Sequence, residues 1–229
     1  MLIPKSIQQG KKNKKPACPG WYSRFIFPYI EILITSRLGK IRRRLLNRAR
    51  GRVVEIGAGA AKNLSYLPET VHSYLATDPS QVMAGKAKKE ITAHRVPSLD
   101  AHVIRASAED LPVKSRSADT VISFLVLCSV YDPFAALAEV HRILRPGGVF
   151  LFFEHVLAPG GATVKWQNRI TPIWKRLGGG CHLNRDTAYL IEKSGFRFEQ
   201  LRQYRSGKMG PPLTSNVIEG MAVHYQGRP

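Results

Sequence analysis

Acidic residues are scarce in this chain of 229 residues: 16 Asp and Glu stand against 35 Lys and Arg, giving a formal net charge of +19. The imbalance is concentrated at the start, where residues 1–52 hold 14 basic residues and a single acid, Glu31. That segment carries +13, which leaves +6 for the other 177 residues. A polyanionic partner would therefore meet this N-terminal arm first.

Cysteine is also rare, with three residues at Cys18, Cys128 and Cys181. The number is odd and no two of them form a Cys-x-x-Cys pair. Disulfide frameworks and zinc sites that are recognisable by spacing are thereby excluded. The sequence predicts a reduced, cytoplasmic protein with no metal site.

Long apolar runs are missing as well. No segment approaches the ~18–20 consecutive apolar residues of a membrane-spanning helix. The lysines near the start are not followed by a continuous apolar stretch, so we expect no cleaved signal peptide. There is no internal repeat.

The basic arm has two parts that precede one domain. Residues 1–20 combine lysines with prolines and glycines, which predicts a flexible tail. Residues 21–50 place apolar side chains at steps of three and four with basic side chains on another face, which predicts a basic amphipathic helical segment. It could cover the domain with its basic face in solvent, make peripheral contact with an anionic membrane through residues 1–50, or, less favoured, bind nucleic acid. Residues 51–229 form the domain.

Strands and helices alternate through that domain. Predicted strands cover 53–56, 72–77, 101–106, 119–125, 149–155, 196–204 and 217–225. Helices are expected over 61–67, 81–94, 133–144, 164–176 and 185–193, and a sharp turn over 145–148. Such alternation is typical of parallel strands joined by crossover helices. We predict an α/β fold: a single-domain Rossmann-like, mostly parallel sheet with helices on both faces and an antiparallel C-terminal strand.

The first strand leads into a glycine turn, Gly57-Ala58-Gly59. Glycine tolerates positive φ and has no Cβ, so a ligand can approach the backbone closely. A helix after the turn would direct its free N–H groups at that ligand. In open α/β sheets, ligands bind beyond the carboxyl ends of the strands.

Two carboxylates indicate the type of ligand. Asp78 ends the second strand, where it can accept both hydroxyls of a ribose. Glu55, two residues before Gly57, would repel a pyrophosphate, and Lys62 stands where a dinucleotide fingerprint has Gly or Ala. A cationic nucleoside without phosphate, S-adenosylmethionine, suits this pattern better than a nicotinamide dinucleotide.

A series of motifs resembles the class I S-adenosylmethionine-dependent methyltransferases from about residue 53 to 155. The motifs are Glu55-x-Gly57-x-Gly59, Asp78, 108–112 (Ala-Glu-Asp-Leu-Pro), Asp119 and 144–148 (Leu-Arg-Pro-Gly-Gly). Within that class, residues 125–130, 153–156, 180–185 and the Trp166 and Trp174 pair look like the methyltransferase-like thiol S-methyltransferases and their bacterial relatives. The chain departs from the family at Ala60-Ala61, where Thr-Gly is frequent.

The resemblance implies a role for each part of the site. Glu55 and the backbone of Gly57, Ala58 and Gly59 would hold the methionine end of the cofactor. Asp78, followed by Pro79, would bind the ribose. The remaining contacts would come from Ala108 and Glu109 beside the adenine, and from backbone groups of Phe124 and Leu125 near the methionine ammonium.

The sequence says less about the part of the site that would bind the methyl acceptor. His155 follows the fifth strand and is the candidate general base. Trp166, Trp174 and Phe153 are expected to form an apolar pocket, which favours a small lipophilic acceptor, with a thiol preferred. Cys128 is expected in the core and Cys181 to be accessible. The alternatives are a methyltransferase acting on lipid or RNA held by the basic arm, and a non-catalytic cofactor-binding protein.

Overall fold

The computed structural model describes residues 37–94, 97–210 and 212–224. The α-helices are α1 (Gly39–Leu46), α2 (Gln81–Ala93), α3 (Pro133–Ile143), α4 (Ala162–Leu177) and α5 (Thr187–Lys193). The strands are β1 (Gly51–Ile56), β2 (Val71–Thr77), β3 (Asp100–Ile104), β4 (Ala118–Phe124), β5 (Leu144–His155), β6 (Phe196–Arg205) and β7 (Asn216–His224). Two 3-10 helices cover Leu64–Tyr66 and Gly207–Met209.

The seven strands form one sheet in the order β3-β2-β1-β4-β5-β7-β6. The pairings from β3 to β5 are parallel, and β7 runs antiparallel to both β5 and β6. The predicted Rossmann-like architecture with an antiparallel C-terminal strand is confirmed. Chain order reverses direction between β1 and β4, which is the switch point at which such sheets bind ligands.

Apolar side chains cover both faces of the sheet. Val53 and Tyr74 pack on one face with Leu38 and Leu45 from the α1 region. Val54 and Ile56 pack on the other with residues of α3 and α5. Successive residues of β1 therefore point to opposite layers, as the period of a strand requires. Glu55 lies between Val54 and Ile56 in the chain and shares the α1 face with Val53, two residues before it.

Local sequence explains where the helices next to the site begin. The Ser80 side chain accepts a hydrogen bond from Met83 N at 3.3 Å and caps α2. The Asp132 carboxylate accepts from Phe134 N and Ala135 N, and Pro133 occupies the first turn of α3. Both are preferred N-terminal arrangements. The start predicted for α3 is confirmed.

The prediction of a helix directly after the glycine turn was wrong. Residues 57–63 form turns, and only Leu64–Tyr66 is helical, as one 3-10 turn. Gly57, Gly59 and Ala61 all have φ of +55°. Alternating left-handed residues cannot continue into a right-handed helix. The glycine turn therefore does not open directly into a helix, as a dinucleotide-binding turn does.

Residues 145–148, predicted to form a sharp turn, lie within β5 at an irregularity of the strand pairing. The ladder between β4 and β5 passes from Leu144 directly to Val149, with a register shift. Gly147 has φ of +76°, which a tight reversal requires of it.

The start of the chain falls partly outside the described residues. The flexible-tail prediction for 1–20 and most of the helical prediction for 21–50 lie there. Of the latter segment, α1 packs Ile41, Leu45 and Leu46 against the sheet. None of the helices in the described parts is long and apolar enough to cross a membrane.

Gly220 in β7 offers a test of the sheet packing. A Cβ there would meet Gln200 O at 2.2 Å and Phe152 Cζ at 2.7 Å. Because one obstacle is backbone, we expect Gly220→Ala to lower the free energy of unfolding by about 1–3 kcal/mol. The control is Gly85→Ala in α2, where no atom lies within 4 Å of the added Cβ and Ala improves helix propensity. Chemical denaturation measures both, and equal stabilities of the two variants would contradict the packing described.

Candidate active site

The predicted cofactor residues gather at the carboxyl ends of β1, β2, β3 and β4. Glu55 lies near the end of β1 and the turn 57–59 follows that strand. Asp78 follows β2, residues 108–109 follow β3, and residues 124–125 lie at the end of β4. Backbone hydrogen bonds connect these ends: Ala58 N donates to Thr77 O at 2.8 Å, and Asp78 N donates to Ile104 O at 3.4 Å. Residues that are far apart in sequence thus share one edge of the sheet.

Glu55 is a buried carboxylate with a complete set of local partners. Its side chain accepts from Tyr74 Oη at 2.6 Å and from Asn63 Nδ2 at 2.7 Å. Asn63 Oδ1 in turn accepts from Arg42 Nε at 2.7 Å. The Arg42 guanidinium also lies 4.9 Å from the centre of the Phe124 ring. The network fixes Glu55 at the switch point between β1 and β4.

Burial has a larger effect on the pKa of Glu55 than its hydrogen-bond partners have. Desolvation raises the pKa of Glu55 to about 7, against the lowering effects of the Tyr74 and Asn63 hydrogen bonds and of the Arg42 charge. A carboxylate this costly to ionise would gain from a nearby positive ligand. Glu55 is therefore suited to an ammonium or sulfonium group and unsuited to phosphate.

Asp78 joins the glycine turn to the start of α2. Its carboxylate accepts from Gly59 N at 3.0 Å and from Ser80 N at 2.8 Å. Burial raises the pKa of Asp78 to about 6, although both backbone N–H groups oppose the rise. The cap of α2 is Ser80, so a capping role does not explain Asp78. Pro79, between them, is exposed.

Glu109 ties the loop after β3 to the start of α3. Its Oε1 accepts from Tyr131 N at 2.9 Å and Asp132 N at 3.3 Å, and its Oε2 accepts from the Ser107 hydroxyl. Ala108 is buried in the core layer that contains Ile56. The loop that would flank an adenine is thus held in place by its own carboxylate.

The end of β4 is shaped by another buried acid, Glu154. It accepts from Ser123 Oγ at 2.6 Å, Val126 N at 3.1 Å and Cys128 N at 3.2 Å. Arg185 interacts electrostatically with Glu154 and donates hydrogen bonds to the carbonyls of Leu127 and Val130.

These contacts determine the position of Phe124 and Leu125. Leu125 has φ of +63°, and its N–H donates to Phe153 O at 2.7 Å. The Phe124 side chain is buried against Phe153, with ring centroids 4.8 Å apart. The strand therefore ends abruptly at the switch point, as a ligand-binding turn requires.

His155 lies at the end of β5, next to two cysteines. Its Nδ1 is 3.5 Å from Cys181 Sγ, and Cys128 completes the group. Cys128 is buried, as predicted, but Cys181 is only 5% exposed, so the expected accessibility was wrong. The glycines before Cys181 form a turn that folds the thiol inward. The role of His155 as a base stays a prediction.

The predicted aromatic pocket does not form in the described structure. Phe153 is fully buried on the α1 face of the sheet, whereas Trp166 on α4 is 54% exposed. Trp174 packs near Cys128, Cys181 and Leu183. Their order in the sequence gave no information on which face of the sheet each ring occupies.

Sequence reasoning missed three members of the site: Arg42, Asn63 and Tyr74. The helical pattern of α1 gave Arg42 no role, yet this side chain is 4% exposed. Tyr74 did offer a signal, since a phenol within an apolar buried strand needs a hydrogen-bond partner. Glu55, an acid on the neighbouring strand, supplies it.

Comparison with known proteins agrees with this geometry. The methyltransferase domain family matches residues 54–152. Solved structures include a possible histamine N-methyltransferase from Thermotoga maritima, with a TM-score of 0.63 and 20% identity over 90% of this chain and 98% of that one. The YcgJ protein of Bacillus subtilis gives a TM-score of 0.64 at 16% identity, covering 84% and 99%. At these identities the likeness shows the fold.

Relatives with similar sequences indicate which methyltransferases this chain is related to. Thiol S-methyltransferase TMT1B of Rattus norvegicus is 31% identical over 84% of this chain and 86% of its own length. Thiol S-methyltransferase TMT1A of Homo sapiens is 29% identical over 90% and 87%. A mycobacterial phthiotriol/phenolphthiotriol dimycocerosates methyltransferase is 36% identical, but over 50% of this chain and 41% of its own. The chain belongs to the class I S-adenosylmethionine-dependent methyltransferases and is related to the thiol S-methyltransferases.

Proposed function

We propose that this methyltransferase transfers the methyl group of S-adenosylmethionine to a small lipophilic thiol. The observation that carries the choice of acceptor is the 31% identity with the rat thiol S-methyltransferase over most of both chains. A hydroxyl acceptor is the second candidate, because the mycobacterial relative is named for phthiotriol and phenolphthiotriol compounds. An RNA acceptor and a non-catalytic role have no comparable support.

Glu55 and Asp78 are the proposed cofactor carboxylates. Glu55 would balance the charge of the methionine portion, since burial raises its pKa to about 7 and a cationic ligand would favour its ionised form. Asp78 would accept the ribose hydroxyls. Ala58 and the glycines around it would line the approach, and the backbone at Phe124 and Leu125 would face the ammonium. Ala108 and Glu109 would flank the adenine.

The cofactor supplies an activated methyl group on a positively charged sulfur. The task of the protein is then alignment in a site shielded from water, which can contribute up to ~7–11 kcal/mol in favourable intramolecular comparisons. The hydrogen bonds that Asp78, Glu109 and Glu154 accept from loop N–H groups serve this task by fixing the turns around the site. A thiol acceptor needs only the loss of its proton to become nucleophilic.

Partners beyond the acceptor are proposed from the sequence. The basic arm suits peripheral contact with an anionic membrane better than binding to nucleic acid. Within α1, Arg44 is engaged with Glu219 at 2.6 Å and Arg42 is buried, so the charge left for such contact is reduced there.

The ribose assignment is tested with Asp78→Asn. We expect S-adenosylmethionine affinity to fall at least about 10-fold, because a hydrogen bond to a charged group contributes about 1.5–3 kcal/mol. Isothermal calorimetry measures the affinity. Asp100→Asn, at an exposed carboxylate at the start of β3, is the matched control and should bind like the wild type. If Asp78→Asn also bound like the wild type, the ribose would lie elsewhere.

The acceptor is tested with matched pairs of an alkyl thiol and the alcohol of equal chain length. An alkyl thiol is far more acidic than the alcohol of equal length and its thiolate is a strong nucleophile, so we expect thiols to show a kcat/KM at least ~100-fold higher. Methyl transfer is measured by mass spectrometry of the products. Methylation of phenols or alcohols at equal rate would overturn the thiol proposal while leaving the enzyme class intact. Cofactor binding without any turnover of thiols would overturn it as well.

A further inference from the structure

Three side chains capable of binding metal meet at the carboxyl ends of β4 and β5. Cys128 follows β4, His155 ends β5, and Cys181 lies between α4 and α5. One ligand atom from each lies within 4.8 Å of the others, and Cys181 Sγ is 3.5 Å from His155 Nδ1. These residues are 26 or more positions apart in the sequence, so no short spacing motif predicts that they form a cluster.

The cluster is shielded from bulk water, since the two thiols are 1% and 5% exposed. His155 Nδ1 faces Cys181 Sγ, and Cys128 interacts with both Cys181 and His155. Hydrogen bonds of thiols are weak, because sulfur is a weak donor and a weak acceptor. An ion bound to both sulfurs and to His155 Nδ1 would replace these weak contacts with coordination bonds.

The separations match a tetrahedral zinc site. Bond lengths of about 2.3 Å to sulfur and 2.1 Å to nitrogen place sulfur and nitrogen about 3.6 Å apart, and two sulfurs about 3.8 Å apart. The Cys181–His155 distance of 3.5 Å already agrees. The remaining separations, at most 4.8 Å, require shifts on the order of 1 Å or less, within the range of thiol rotamers.

Charge is also balanced. When a divalent zinc ion binds, the two thiols lose their protons to solvent and the imidazole stays neutral, so the buried unit carries no net charge. The Arg185 guanidinium interacts electrostatically with both thiols and with Glu154. Its charge opposes a bare cation but favours the two thiolates, and Glu154 offsets it. Two sulfurs and an imidazole select a soft ion such as zinc over magnesium or calcium.

We propose that Cys128, His155 and Cys181 form a zinc site in this methyltransferase. Three protein ligands leave the fourth position to water. The ion joins the loop after β4, the end of β5 and the segment between α4 and α5. Hydrogen bonds from His182 N to Cys128 O and from Arg185 to Leu127 O also connect these segments. This assignment gives His155 a structural role in place of the predicted base. It is independent of which acceptor the enzyme methylates.

The test uses the full chain, purified with a non-thiol reductant and stripped of metal by a chelator. Zinc added to it should be retained after desalting at about one ion per chain, measured by mass spectrometry of the metal. Cobalt(II), used as a spectroscopic probe, should give thiolate charge-transfer absorption and the intense visible bands of tetrahedral coordination. Wild type that retains no zinc, or cobalt spectra of octahedral oxygen ligation, would overturn the proposal.

Substitutions of single residues test which side chains bind the zinc ion. Cys181→Ser and His155→Ala should each lower zinc affinity by more than about 100-fold, a larger loss than for residues that only support ligands. His102→Gln is the control, because this exposed histidine pairs with Asp100 away from the cluster. Circular dichroism checks that each variant is folded. Unchanged zinc content in both folded ligand variants would contradict the assignment, whatever the methyltransferase activity.

Discussion

The buried carboxylate of Glu55 is the constraint around which the site is built. It lies on β1 at the switch point, is 2% exposed, and has to be satisfied within the protein. Tyr74 on the adjacent strand, Asn63 after the glycine turn and Arg42 on α1 all converge on it directly or through one another. One acid thus links the first helix, two strands and the turn, and a cationic ligand would relieve its desolvation.

The scarce acids of this basic protein have a common structural use. Asp78, Glu109 and Glu154 each accept backbone N–H groups from the loops at the carboxyl ends of the strands, and Asp132 accepts from the first turn of α3. These loops have little regular structure of their own, and charge-assisted hydrogen bonds hold them. The site is therefore preorganised by carboxylates, while the excess of Lys and Arg lies mainly in the N-terminal arm.

The sequence was sufficient to predict the sheet, because its apolar strands alternate with amphipathic helices and end at Gly57, Asp78 and Glu109. It was not sufficient to predict contacts between side chains of different helices, strands and loops. Ala61 at φ of +55° looks like an ordinary helix former, and Arg42 looks like part of a solvated basic face. The group of Cys128, His155 and Cys181 forms only when two strand ends and a loop meet. Such contacts depend on tertiary packing, which spacing does not encode.

The central claim is that Glu55 carries the proton that a cationic cofactor displaces. Its pKa of about 7 leaves it partly protonated at neutral pH, and a bound positive charge lowers the pKa. Calorimetry of S-adenosylmethionine binding at pH 7, in buffers of different ionisation enthalpy, measures the protons exchanged. The account predicts proton release that disappears in Glu55→Gln. Binding with no proton release, or release that persists in Glu55→Gln, would contradict it.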